Sequence, residues 1–145
     1  MDFDSAMKIS ASGLTANRAW INVLSSNLAN ARTTKAADGQ PYQRRTVIYE
    51  SVPFSEDLGS EMAGGMGNQI EKVAVAEITP DFRDFKEVYD PGHPDADSRG
   101  MVRMPNISPI EEMANLVNAS KSYEANLAAM NIAKQLALKA LEIGK

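Results

Sequence analysis

The residues best equipped for chemistry are Asp90, His93, Asp95 and Asp97, three carboxylates and the single imidazole of the chain. Oxygen-rich loops of this kind hold Ca²⁺ or Mg²⁺. The order here is not that of a D-x-D-x-D-G loop with a closing glutamate, and Pro91 and Pro94 stiffen the backbone. The stronger expectation is a structured turn whose Asp side chains accept from local N–H groups. The stretch 59–67, with Gly64-Gly65-Met66-Gly67, has the composition of a phosphate cradle. It contains neither G-x-x-x-x-G-K-[ST] nor G-x-G-x-x-G and sits among Glu56, Asp57 and Glu61, so it is expected to be a mobile loop. Arg44 and Arg45, flanked by Tyr42 and Tyr49, would serve a nucleic-acid patch, or more economically a solvated pair or contacts to an acidic neighbour. With one histidine and no G-x-S-x-G, a hydrolase triad has no support. The chain has no cysteine, which excludes disulfides, thiolate metal sites and a cysteine nucleophile. The expectation is a protein with no catalytic residue, no cofactor and no metal.

Composition bounds the rest. A chain of 145 residues with 43% apolar and 23% charged residues has one domain's worth of material and can bury a core. A formal charge of −4 argues against nucleic acid and anionic membranes as partners. No apolar run reaches the roughly 18 residues of a membrane span, so no membrane insertion is expected. The start, Met1-Asp2-Phe3-Asp4-Ser5, lacks the basic and apolar blocks of a cleavable signal peptide.

The elements that must position these residues fall into three parts. Six of seven prolines and seven of nine glycines lie between 32 and 108, leaving two ends suited to helices. The expected fold is α+β: an N-terminal helix in 1–31, a short β- and loop-rich middle over 32–108, and a C-terminal helix in 109–145. The helices would form a coiled-coil-like pair.

Each helix carries a 3–4 apolar line, the pattern of a coiled-coil seam. In the first it runs through Phe3, Met7, Leu14, Ile21, Leu24 and Leu28, with Asp2 or Asp4 available as a cap. In the second it runs through Met113, Leu116, Tyr123, Leu127, Met130 and Leu141. Ser108 is placed to cap this helix, with Pro109 at its first position, Glu111 completing an S-x-x-E box and Gly144 ending it. Gly13 inside the first helix costs about 1 kcal/mol against alanine, a penalty expected where backbones approach closely. Narrow seams flanked by alanines, such as Ala125, Ala128, Ala129 and Ala133, point to helices that find part of their burial in other molecules. In the middle, strands are expected over Tyr42 to Val52, Gln69 to Ile78 and Phe85 to Tyr89.

Several stretches together resemble a known family. Ser10-Ala11-Ser12-Gly13-Leu14 and Ser26-Asn27-Leu28-Ala29-Asn30 resemble the N-terminal signature of bacterial flagellar rod, hook and hook-associated axial proteins. Within it, three further stretches look like the proximal-rod members: Asp38-Gly39-Gln40-Pro41-Tyr42-Gln43-Arg44-Arg45, Tyr89 through Asp97, and Met104-Pro105-Asn106. The run from Glu111-Glu112-Met113 through Tyr123-Glu124-Ala125-Asn126 to Lys139-Ala140-Leu141 completes a match over essentially the whole chain.

The resemblance implies a structural subunit of the basal-body rod, the drive shaft crossing the periplasm, which polymerises through its terminal helices. It implies passage through the flagellar type III export apparatus without a cleaved signal peptide. Its partners would be other copies of itself, other proximal-rod proteins, the distal rod and the rod-base adaptor. The alternative is a small secreted helical-hairpin adaptor that binds one partner without polymerising.

Overall fold

The computed structural model describes residues 3–53 and 71–143, and for Phe3, Asp4 and Ile143 the backbone alone. The fold is α+β. Helix α1 (Phe3–Ala29) and helix α2 (Pro109–Ile143) enclose four strands, β1 (Arg45–Pro53), β2 (Glu71–Pro80), β3 (Lys86–Tyr89) and β4 (Met101–Met104). The loop expected at 59–67, the start of the second strand, the Gly144 stop, the Asp2 and Asp4 caps and the Phe3 side chain lie outside the described residues.

The helices are 27 and 35 residues long, roughly 40 and 50 Å. They run antiparallel: Asn27 meets Glu112 near one end, and Gly13, fourteen residues earlier in α1, meets Asn126, fourteen residues later in α2. A Cβ added at Gly13 would stand 2.8 Å from the Asn126 side-chain nitrogen. The glycine therefore has its reason in a close crossing rather than in tolerance.

The line of α2 that faces α1 differs from the apolar line read along the sequence. The more buried positions are Glu112, Leu116, Ala119, Tyr123, Asn126, Met130, Ala133 and Ala137, a 3–4 line sharing Leu116, Tyr123 and Met130 with the expected one. Glu112 and Asn126 take the places expected for Met113 and Leu127, and Ala119 and Ala133 fill the positions between. Small and amide side chains let the backbones close together, and the larger apolar neighbours turn outward.

Strands β1 and β2 form an antiparallel hairpin against α1, with the Val73 N–H donating to Ser12 Oγ at 3.3 Å. A bulge falls where Ile48 pairs Glu77 and Tyr49 pairs Val75. β2 continues two residues past the expected end at Ile78, through Thr79 and Pro80. β3 and β4 pair as a second hairpin, of which the sequence announced only β3. Four residues are too few for a period, and β4 exists because the 90–100 turn returns the chain beside β3. Gly100 enters β4 at φ 76°, and a Cβ there would stand 3.0 Å from the Tyr89 ring.

Among the described residues the buried apolar side chains are few: Ala16, Val23, Leu24 and Ala119 on the two helices, Val102, Pro105 and Ile107 where β4 leads into α2, and Pro41. Overpacking the helix crossing tests this geometry. Gly13→Val is expected to lower the unfolding free energy by roughly 1–3 kcal/mol in a urea titration. Asn126→Ala in the same chain should recover most of that loss.

Candidate functional site

The structure gathers charge at one place, where α1, the entry to β1, the β2–β3 connection and the start of α2 meet. Asn27 is fully buried and all four hydrogen-bonding positions of its amide are occupied. Its nitrogen donates to the Arg45 carbonyl at 2.8 Å and to Glu112 Oε2 at 3.1 Å. Its oxygen accepts from the Arg45 N–H at 2.9 Å and the Tyr42 hydroxyl at 3.2 Å.

Glu112, 1% exposed, is the buried carboxylate of the junction. Arg44 Nε donates to its Oε1 at 2.7 Å, and Arg44 Nη1 reaches Asp81 Oδ2 at 3.3 Å. Asp81 also takes Arg83 Nη2 at 2.7 Å. The Arg83 guanidinium holds the Asp81 carboxyl below its usual range, against the opposing effect of burial. Asn106 locks the layer from below. Its oxygen accepts from the Arg44 N–H at 2.9 Å, and its nitrogen donates to the carbonyls of Asp81 and Arg83 at 2.9 and 3.1 Å. Among the described residues no buried side-chain nitrogen or oxygen lacks a partner.

Local sequence explains how each part arrives. Asn27 lies on the α2-facing side of α1, two residues before its end at Ala29. Ser108 lends its carbonyl to the Glu112 N–H at 3.0 Å, which starts α2 and fixes Glu112 in the first turn; Ser108 is half-buried and Glu111 exposed. Arg44 is held just before β1 because its own N–H and carbonyl are taken by Asn106 and by the Asp81 N–H. The Arg44 side chain thus resolves as a contact to acidic neighbours, while exposed Arg45 meets Asn27 through its backbone N–H and carbonyl.

The Asp90–Asp97 stretch is a structured turn. Asp90 Oδ1 accepts from the Gly92 N–H, and Asp97 Oδ1 accepts from the N–H groups of Met101 and Arg99 at 2.9 and 2.8 Å. Those bonds, Met101 first, hold the Asp97 carboxyl below its usual range. His93 Nδ1 accepts from the Asp95 N–H, and Asp95 Oδ2 accepts from Thr34 Oγ1 at 2.7 Å. Among the described residues no group of three His, Cys, Asp or Glu is spaced to hold a metal.

The residues assigned to the seams are split. Leu24 is buried, Met7, Leu14, Ile21, Leu28, Leu116, Tyr123 and Met130 are half-buried, and Met113, Leu127 and Leu141 are exposed. The exposed three share α2 with Ile110, Val117, Ile132, Leu136 and Leu138, so apolar groups stand on every side of this helix while α1 covers one. Of the junction residues the sequence singled out Arg44, with an acidic neighbour as one reading of it; Asn27, Asp81, Asn106 and Glu112 were not singled out. Asn27, Arg44, Asn106 and Glu112 do lie within the short stretches that carry the family resemblance. The available signal lay one residue off each expected seam, Asn27 beside Leu28 and Glu112 beside Met113, polar residues of the kind that fix register in coiled coils.

Two family models match: "Flagella basal body rod protein" over residues 7–36, and "Flagellar basal body rod FlgEFG protein C-terminal" over residues 98–143. The first covers α1 with Asn27, the second β4 and α2 with Asn106 and Glu112. A flagellar basal-body rod protein FlgC of Bacillus subtilis is 48% identical over 97% of both chains. The protein of that name from Aquifex aeolicus is 41% identical over 100% of this chain and 99% of its own, and that of Borreliella burgdorferi 37% identical over 99% and 98%.

Removing Arg44 leaves a buried carboxylate without its cation. Arg44→Ala is expected to cost about 3–5 kcal/mol in denaturant unfolding, and Glu112→Gln in the same chain should return a substantial part. Asp81 gives a pH signature. Because its folded pKa is lowered, its contribution is fully present above about pH 4 and is lost as pH falls through the folded value. The stability gap between the natural chain and Asp81→Asn, roughly 2 kcal/mol at pH 7, should therefore close in titrations carried down into acid.

Proposed function

This chain belongs to the family of flagellar basal-body rod proteins, and we propose that it takes its place in the rod by burying the outer face of α2 against neighbouring subunits. Its function is that of a structural subunit of the proximal rod of the basal body. The observation that carries the assembly reading is the imbalance on α2. Ile110 is 77% exposed and Leu141 71%, at the two ends of a helix that one antiparallel partner cannot cover. The residues Met113, Leu127 and Leu141 of the sequence-derived seam fall to this intermolecular role, and Leu24 to the intramolecular one.

The same reading divides the chain at 31/32 and 108/109 into terminal helices that assemble and a middle that sets their pairing. Its neighbours are other copies, other proximal-rod proteins, the distal rod and the rod-base adaptor, in the shaft that crosses the periplasm. It reaches them through the flagellar type III export apparatus. Support for export through a narrow channel comes from family membership, from a chain without cysteines, and from the small apolar core among the described residues, which is inexpensive to unfold. Among the described residues no helix is long and apolar enough to cross a membrane. The role is mechanical: the buried charges hold two helices in register, and the helices carry the contacts.

Leu127 and Leu24 separate assembly from folding. Leu127→Asp changes a side chain that is 43% exposed, so the isolated chain should keep its melting temperature to within a few degrees. Rod assembly and swimming should be lost in cells carrying it. Leu24→Asp, at a position 1% exposed, should instead unfold the isolated chain. Normal motility with Leu127→Asp would refute the assembly reading.

A further inference from the structure

The single histidine of the chain lies in the turn between β3 and β4, and its hydrogen bonds fix its protonation state. The Asp95 N–H donates to His93 Nδ1 at 3.1 Å. That nitrogen must present a lone pair, so the ring is neutral with its proton on Nε2. The backbone of His93 is pinned on both sides: its N–H donates to the Asp90 carbonyl, and its carbonyl accepts from the Ala96 N–H. Both the His93 and Asp95 side chains are partly exposed, so protons reach them from solvent.

Asp95 is the other half of the arrangement. Its Oδ2 accepts from Thr34 Oγ1 at 2.7 Å, which ties the turn to the α1–β1 connection beside a cleft of about 460 Å³ that Thr34 and Asp95 both line. The same oxygen stands 4.0 Å from His93 Nδ1, too far for a hydrogen bond. Protonating the imidazole places a proton on Nδ1 and removes its lone pair. Two donors, Nδ1–H and the Asp95 N–H, then face each other, with Asp95 Oδ2 as an acceptor within reach. Closing that gap forms a charge-assisted bond and draws Oδ2 off Thr34. The other charged groups lining the cleft are Lys35 from the connection, Glu87 from β3, Arg103 from β4, and Asp97 and Arg99 from the turn, which also carries Asp90. Of these side-chain types only imidazole ordinarily changes charge between pH 5 and 8. The Met101 and Arg99 N–H groups hold the Asp97 carboxyl below its usual range, so it stays ionised there.

We propose that His93 is a proton-operated latch on the α1–β1 connection. As neutral imidazole it holds Asp95 by the backbone and leaves the carboxylate to Thr34; as imidazolium it takes the carboxylate and releases Thr34. Acid thus unties the turn from the connection, while Asn27, Arg44 and Glu112 keep their partners. The swap follows from the geometry of the turn and does not depend on assembly. On the rod reading the chain stands outside the inner membrane, where it meets the pH of the surroundings.

Amide hydrogen exchange followed by NMR on the full chain reads the latch directly. From pH 8 to pH 5 the protection factor of the Asp95 amide, taken against the unstructured rate at each pH, should fall about tenfold. The Ala96 and Gly100 amides donate to backbone carbonyls and should keep theirs to within about twofold. His93→Asn retains an acceptor near the Nδ1 position that does not titrate, and its Asp95 amide should stay protected throughout. The Thr34–Asp95 tie is read by a double-mutant cycle of Thr34→Val and Asp95→Ala in urea unfolding. Its coupling, about threefold in the unfolding constant at pH 8, should vanish at pH 5 and persist there in His93→Asn. Unchanged protection of Asp95 in the natural chain would overturn the proposal. An equal fall in His93→Asn would do the same, as would a coupling in the natural chain that survives acid.

Discussion

A carboxylate taken out of water between two helices has to be met by positive charge and hydrogen bonds, or the helices will not close over it. Glu112 is that group here, and much of the chain is arranged to meet it. α1 supplies the Asn27 amide, and the residue before β1 supplies the Arg44 guanidinium. Asp81 and Asn106 then hold Arg44 by its side chain and its backbone. Two segments far apart in sequence are thereby brought to one carboxylate, and two more hold the cation that meets it. Because the pair is satisfied only when all are present, the register of the helices depends on the middle of the chain being folded.

That arrangement divides the two helices' surfaces by role. The inner line of α2 uses alanine, asparagine and glutamate at alternate positions, which brings the backbones close and specifies one pairing. The outer side keeps the large apolar groups, which are adhesive but unspecific on their own. On the assembly reading proposed above, this division suits a subunit that stays apart before assembly and holds firmly after it: polar contacts settle specificity inside the monomer, and apolar area is left for neighbours. The small apolar core found among the described residues fits a chain that completes its burial in a larger body.

Much was legible in advance. The helices at both ends and three of the four strands follow from period and β-branched runs. The Asp90–Asp97 stretch resolved as backbone-bonded turns, as its prolines and irregular spacing suggested. Two things were missed for physical reasons. β4 is too short to show a period, and its pairing is set by the turn before it. The helix line shifted by one residue because a count of apolar side chains marks where grease lies along a helix, not which side faces the partner. Close approach at Gly13 selects small side chains opposite, which an apolar count passes over.

The sequence by itself determined the element types, the absence of cysteine chemistry and, through its scattered motifs, the family. Those are properties of local propensity and residue order. Only the tertiary structure decided that Asn27, Arg44, Asn106 and Glu112, spread over 86 positions, form one satisfied polar junction. It also decided that Met113, Leu127 and Leu141 face outward. Both are matters of which surfaces meet, and a buried charge has a partner only once the fold has brought distant segments together.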